Sequence, residues 1–222
     1  INREECFLSI IKERSESGDF FVNSKECLSD TLSLLQRDEI IGYNSVIGGY
    51  FITHDIYEEW GLNKLIERTY LQTKSYNDFV SGIGLSLTIR RAFRIWLSDK
   101  LIENPNEVKK FIENIFIDQS INQTWKDEAL VSILLSNYSD EFFTQFHDLI
   151  IKDEYSILKK AIFLLRIACK EVDKSIYKLL GNEIDLKYLF TKPKGNGWHS
   201  VIDLIYNNID SFKMSDLSYI TP

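Results

Sequence analysis

Proline and glycine are scarce, at three and ten of 222 residues, which excludes a collagen-like, loop-dominated or low-complexity chain. The three cysteines, Cys6, Cys27 and Cys169, are odd in number, far apart and set among apolar residues. That pattern gives neither a disulfide framework nor metal-ligand spacing, and buried reduced thiols are expected. No apolar run approaches a membrane span and no secretory leader is expected from the first residues, so a cytoplasmic protein without membrane contact is anticipated.

Catalytic signatures are missing as well. The sequence contains no G-x-x-x-x-G-K-[ST], G-x-S-x-G, H-E-x-x-H or C-x-x-C. Lys194-Gly-Asn-Gly197 is glycine-poor beside a phosphate-cradling loop and sits between helices rather than after a strand. His147 and His199 are isolated, and nothing nominates a base for a serine or cysteine nucleophile. No catalytic residue, metal ligand or cofactor is therefore assigned, and the chain is not expected to be an enzyme. It begins at Ile1 and ends at Pro222 straight after an amphipathic stretch, so it is expected to be part of a longer protein.

Core material, in contrast, is plentiful: 14 Phe, 11 Tyr and 4 Trp. Net charge is −7, unevenly spread, because residues 1–72 hold seven Lys/Arg against thirteen Asp/Glu and the rest is nearly balanced. Cys6, Phe7, Ile10 and Ile11 recur at helical spacing in a helix from Arg3 to about Ser15. Ser24 is the expected cap of a second helix running to Arg37. Glu39–Tyr43 and Gly49–Thr53 are short β-branched and aromatic runs around a turn, hence a hairpin. Asp55 and Glu58 have capping-box spacing for a helix to about Gln72, with Trp60, Leu62, Leu65, Ile66 and Tyr70 in its interior and Gly61 weakening it. Helices are then expected over 86–104, 106–117, 124–136, 139–152 and 154–172, and after the Lys192–Gly197 loop. The fold class is mainly α: a winged-helix-like module over 1–72, then an irregular HEAT-like helical array over 73–222, with an irregular bundle as the open alternative.

One cluster stands out, Thr53-His54-Asp55-Ile-Tyr-Glu-Glu-Trp60, where the hairpin meets the next helix. His54 and Glu58 have metal-ligand spacing, but two ligands are too few. The stretch from Leu34 to Trp60 resembles the winged-helix segment of STAND-class NTPases, the nucleotide-switched signalling ATPases that include NACHT and NB-ARC proteins and bacterial antiphage relatives. Their Met-His-Asp signature is kept at two of three positions, with Thr53 departing. The resemblance is specific over residues 28–66 and only architectural beyond 75. It implies that His54 reaches a phosphate of ADP bound, with magnesium, by an NTPase domain upstream in the parent protein, while the array relays a signal or binds a protein ligand.

Arg90, Arg91 and Arg94 form a basic stripe opposite Ile89, Phe93 and Trp96, either a solvated face or a docking patch. A DNA-binding winged-helix regulator and a plain helical scaffold are the alternatives. The first is opposed by the acidic N-terminal module, because DNA affinity rests on Lys and Arg at phosphates, so no DNA partner is expected.

Overall fold

A computed structural model describes residues 2–176 and 190–212, and the chain end at Ile220–Pro222 lies outside them. The fold is mainly helical with small antiparallel hairpins, as the periodicity predicts. Among the described residues no helix is long and apolar enough to cross a membrane. The chain forms two compact units, Ile1–Trp96 with Glu113–Ile121, and Leu97–Ile112 with Asn122–Pro222. The seam expected near Thr73 lies inside the first of these spans.

In the first unit, α1 (Arg3–Ser17) opens with a complete capping box between Asn2 and Glu5. Its buried face of Cys6, Phe7, Ile10 and Ile11 packs on α3 (Asp55–Gln72). A Cβ at Gly61 would lie 2.8 Å from Ile11 Cγ1 and 2.9 Å from Phe7 Cε1. Gly61, expected only to weaken α3, is thus what lets the two helices approach.

The second helix starts later than Ser24. α2 spans Ser29–Arg37, capped at Leu28 without a side-chain bond. The reason lies upstream. Cys27 is joined to Cys6 by a disulfide with Cα atoms 5.3 Å apart, and Val22 is bridged to Tyr50 by two backbone hydrogen bonds. Residues 22–27 are pinned in a non-helical path, and of the three cysteines Cys169 alone lies outside the disulfide, as a buried thiol. The expectation of three reduced cysteines is corrected accordingly. At the other end of α2, the Arg3 guanidinium bonds Asp38 and holds its carboxyl below the usual range.

Strands β1 (Ile41–Asn44) and β2 (Gly49–Ile52) pair in register Ile41↔Ile52 to Asn44↔Gly49. Arg14 ties this region together. It donates to both Glu58 carboxylate oxygens at 3.2 Å, donates to the Phe20 carbonyl, and stands 4.8 Å from the centre of the Phe20 ring. With only 9% of its side chain exposed, removing it leaves Glu58 without its counter-ion in a site just 24% exposed. Arg14→Ala is expected to cost about 2 kcal/mol of unfolding free energy. A double-mutant cycle with Glu58→Ala in urea checks this, and additive losses would contradict a coupled pair.

α4 (Tyr76–Ile83) has no counterpart among the expected helices; the Ser75 hydroxyl caps it, and it buries Phe79, Val80 and Ile83. Tyr70, Phe79 and Trp96 meet pairwise at 5.1–5.4 Å, and the Trp96 indole donates to Glu67 at 2.6 Å. α5 (Leu87–Glu103) and α6 (Pro105–Ile117) follow, Pro105 ending one and opening the other.

The second unit is built around α7 (Gln123–Leu135), buried on all sides through Trp125, Ala129, Leu130, Val131, Ile133 and Leu134. α8 (Ser139–Gln145), α9 (His147–Ala168) and α10 (Gly197–Asn207) each touch α7 and one another, an irregular bundle rather than a ladder of neighbouring pairs. The helix expected over 139–152 is interrupted at Phe146, and α9 breaks at Lys152–Tyr155, where Asp153, Glu154 and Tyr155 adopt left-handed φ. The helix expected to reach 172 stops at Ala168. Residues Lys170–Val172 form β3, paired with β4 (Thr191–Pro193).

Candidate functional site at the hairpin–helix junction

The junction is shaped by Thr53, whose backbone N–H donates to the Ile40 carbonyl at 3.3 Å while its hydroxyl reaches the carbonyls of Glu39 and Ile40. These bonds close the hairpin's open end and turn the chain outward. His54 follows as the first residue free of the sheet. It is exposed, its ring stands edge-on to Tyr57 at 5.7 Å, and no hydrogen bond to its side chain is found among the described residues.

His54 occupies the N-cap of α3 without a side-chain cap, its carbonyl accepting from Tyr57 and Glu58. The capping box expected from Asp55 and Glu58 is not formed. Asp55 is the first helical residue and Glu58 is committed to Arg14, so both act on the helix start through their charge in its first turn. Asp55→Ala accordingly costs well under about 1 kcal/mol, less than loss of a cap.

Beyond His54, α3 presents an unexpected face. Trp60, expected in the interior, is 51% exposed and stacks on Phe7 at 5.8 Å, and Ile56 one turn earlier is 69% exposed. The buried stripe is set by Leu62 and Ile66, and Ile56 and Trp60 lie more than about 100° around the helix from Leu62. That offset was present in the sequence as a signal. Two grooves flank this face. One, about 530 Å³, is lined by Phe7, Leu35, Ile40, Ile56, Tyr57 and Trp60 with Arg3 and Glu4 at its edge. The other, about 500 Å³, lies between α3 and α5.

The basic stripe divides on folding. Arg91 is exposed and lines the α3–α5 groove, whereas Arg90 and Arg94 are half-buried and each has a partner. His147 and His199 are not brought to this site. His199 is exposed on α10, and His147 lines a 350 Å³ pocket in the second unit with Asp140, Ser200 and Asp203. There the Ser200 hydroxyl lies 2.5 Å from both Asp140 and the Ser139 hydroxyl, and 3.1 Å from the Asn196 carbonyl oxygen. With one proton to give, Ser200 donates to Asp140 while Ser139 donates to Ser200, a buried network that joins α8 to α10 and does not recruit the imidazole. No group of three His, Cys, Asp or Glu able to hold a metal ion occurs among the described residues.

No protein-family model matches this sequence, and no curated protein matches it significantly.

Proposed function

We propose that this chain is a non-catalytic regulatory part of a STAND-type, nucleotide-switched signalling protein, with the winged-helix-like first unit holding the resting state and the helical remainder relaying a signal. The observation that carries the reading is the exposed imidazole of His54, without a side-chain hydrogen bond among the described residues, at the point where hairpin becomes helix. Beside it, the first N–H groups of an uncapped α3 favour an anion, so imidazole and helix start together fit one terminal phosphate. The carboxylates of Asp55 and Glu59 oppose that charge, so the nucleotide's remaining phosphates and its magnesium require cationic and acidic groups from the upstream NTPase domain. A lock of this kind shifts the switch only by its differential interaction with the two states.

In the full-length protein, His54→Ala is expected to accelerate ADP release about tenfold, the equivalent of one hydrogen bond to a charged group, and to raise basal signalling. Asp55→Ala at the adjacent position serves as the comparison and, because it removes an opposing carboxylate, is expected to leave ADP release no faster than in the parent. The ADP off-rate of the two variants checks this; equal off-rates in His54→Ala and the parent, with both folded, would remove His54 from the switch.

For the DNA-binding alternative, α2 offers Arg37 against Asp30 and Asp38, a poor recognition helix for a polyanion. Titration with duplex DNA at physiological salt is expected to show no binding; salt-sensitive micromolar binding would promote that alternative.

A further inference from the structure

We propose that the groove between α3 and α5 receives an amphipathic helix of a partner protein, with a basic edge towards α3 and a carboxylate towards α5. This goes beyond the nucleotide reading and does not rest on it, since none of its contacts involves His54.

The groove has an apolar, solvent-exposed lining. Ile56, Trp60 and Ile95 are exposed by 69, 51 and 49%, and the buried Ala92 also lines the groove. Three large apolar side chains around one open trough of about 500 Å³ match a helical ridge of side chains spaced three and four residues apart. An exposed Trp on the α3 side of the groove is the residue type that most often anchors such contacts.

The walls carry opposite charges, and these set the partner's chemistry. Asp55 and Glu59 stand four residues apart on α3, exposed and without ion pairs among the described residues, while Glu58 between them turns to Arg14. On α5 the exposed Arg91 likewise has no ion pair among the described residues. A docked helix therefore gains by placing Lys or Arg along its α3 side and Glu or Asp along its α5 side, which fixes both identity and orientation. The wider field agrees: thirteen acids against seven bases in residues 1–72 attract a basic segment.

The test uses the whole chain and two fluorescently labelled, side-chain-stapled peptides with the same leucine ridge, one carrying the basic and acidic edges as proposed and the other with the edges exchanged. The first is expected to bind in the micromolar range and the second at least about tenfold more weakly. Ile95→Asp, at a half-exposed position, is expected to weaken the first peptide about tenfold or more. The doubly charge-reversed Asp55→Lys/Glu59→Lys protein is expected to invert the preference. No binding, equal affinity for both peptides, or insensitivity to Ile95→Asp in a protein with an unchanged melting profile would overturn the proposal. So would concentration-dependent self-association in sedimentation that Ile95→Asp abolishes, because a second copy would then be the occupant. The nucleotide reading is separable, since His54→Ala is expected to leave peptide affinity unchanged.

Discussion

Reducing the Cys6–Cys27 disulfide, or replacing Cys27 with serine, lowers the unfolding free energy of the first unit by about 3 kcal/mol. The bond closes a loop spanning 21 positions, and in the chain-entropy account its main effect is on the unfolded ensemble, which loses the freedom to separate those ends. A native-state component adds to this. Cys6 is fully buried on α1, and its partner sits in the turn that leads into α2. Without the bond, residues 22–27 keep the Val22–Tyr50 bridge, the bond from the Asn23 N–H to the Glu13 carboxylate and local turns. Urea unfolding with and without dithiothreitol measures the loss, and thiol titration of the denatured chain identifies the state, with one reactive thiol, Cys169, when oxidised and three when reduced. An unchanged midpoint after full reduction would show that the bond contributes nothing. In a reducing compartment the first unit would be less stable by that amount, so stability of the junction that presents His54 depends on the surrounding redox poise.

The parts of this fold that were legible are those where one local signal had no competitor. α3 and α7 occupy the ranges read from their apolar residues to within a residue, and Pro105 marks the α5–α6 boundary. The hairpin appears where β-branched and aromatic runs flank Asn44–Gly48. The failures have tertiary causes. Ser24 is a sound cap by residue type, but the disulfide and the strand bridge claim the segment first. Asp55 and Glu58 have capping-box spacing, yet Glu58 bonds Arg14, 44 positions away. α4 was missed because its one apolar face, Phe79, Val80 and Ile83, spans only eight residues interrupted by Gly82, and β3 and β4 because three-residue exposed strands carry no signal. At the site, the change from strand to helix at His54 could be read directly. The split of Arg90, Arg91 and Arg94 into one exposed and two half-buried residues required the packing of α5, and no spacing announces a groove between two helices.

The Lys192–Gly197 loop supplies the other large effect. Gly195 has φ +84°, and a Cβ there would lie 2.5 Å from the Leu134 carbonyl oxygen and 2.6 Å from the Leu135 Cα. Both obstacles are backbone at the C-terminal end of α7, the most buried helix of the second unit, so no rotamer change relieves them. Gly195→Ala thus combines a left-handed conformation for a residue with a Cβ, at about 1 kcal/mol, with overpacking against rigid main chain, at about 1–3 kcal/mol. The expected loss is about 3 kcal/mol. Gly18, the C-cap of α1, separates the two contributions: its φ is +75°, but nothing lies within 4 Å of its would-be Cβ. Gly18→Ala should cost only the conformational part, about 1 kcal/mol. Chemical unfolding of both variants beside the parent chain makes the comparison, and equal losses would show that the Leu134–Leu135 contact is not the reason for glycine at 195. The glycines of this loop are accounted for by its approach to α7, so Gly195→Ala should reduce stability without altering nucleotide affinity in the full-length protein.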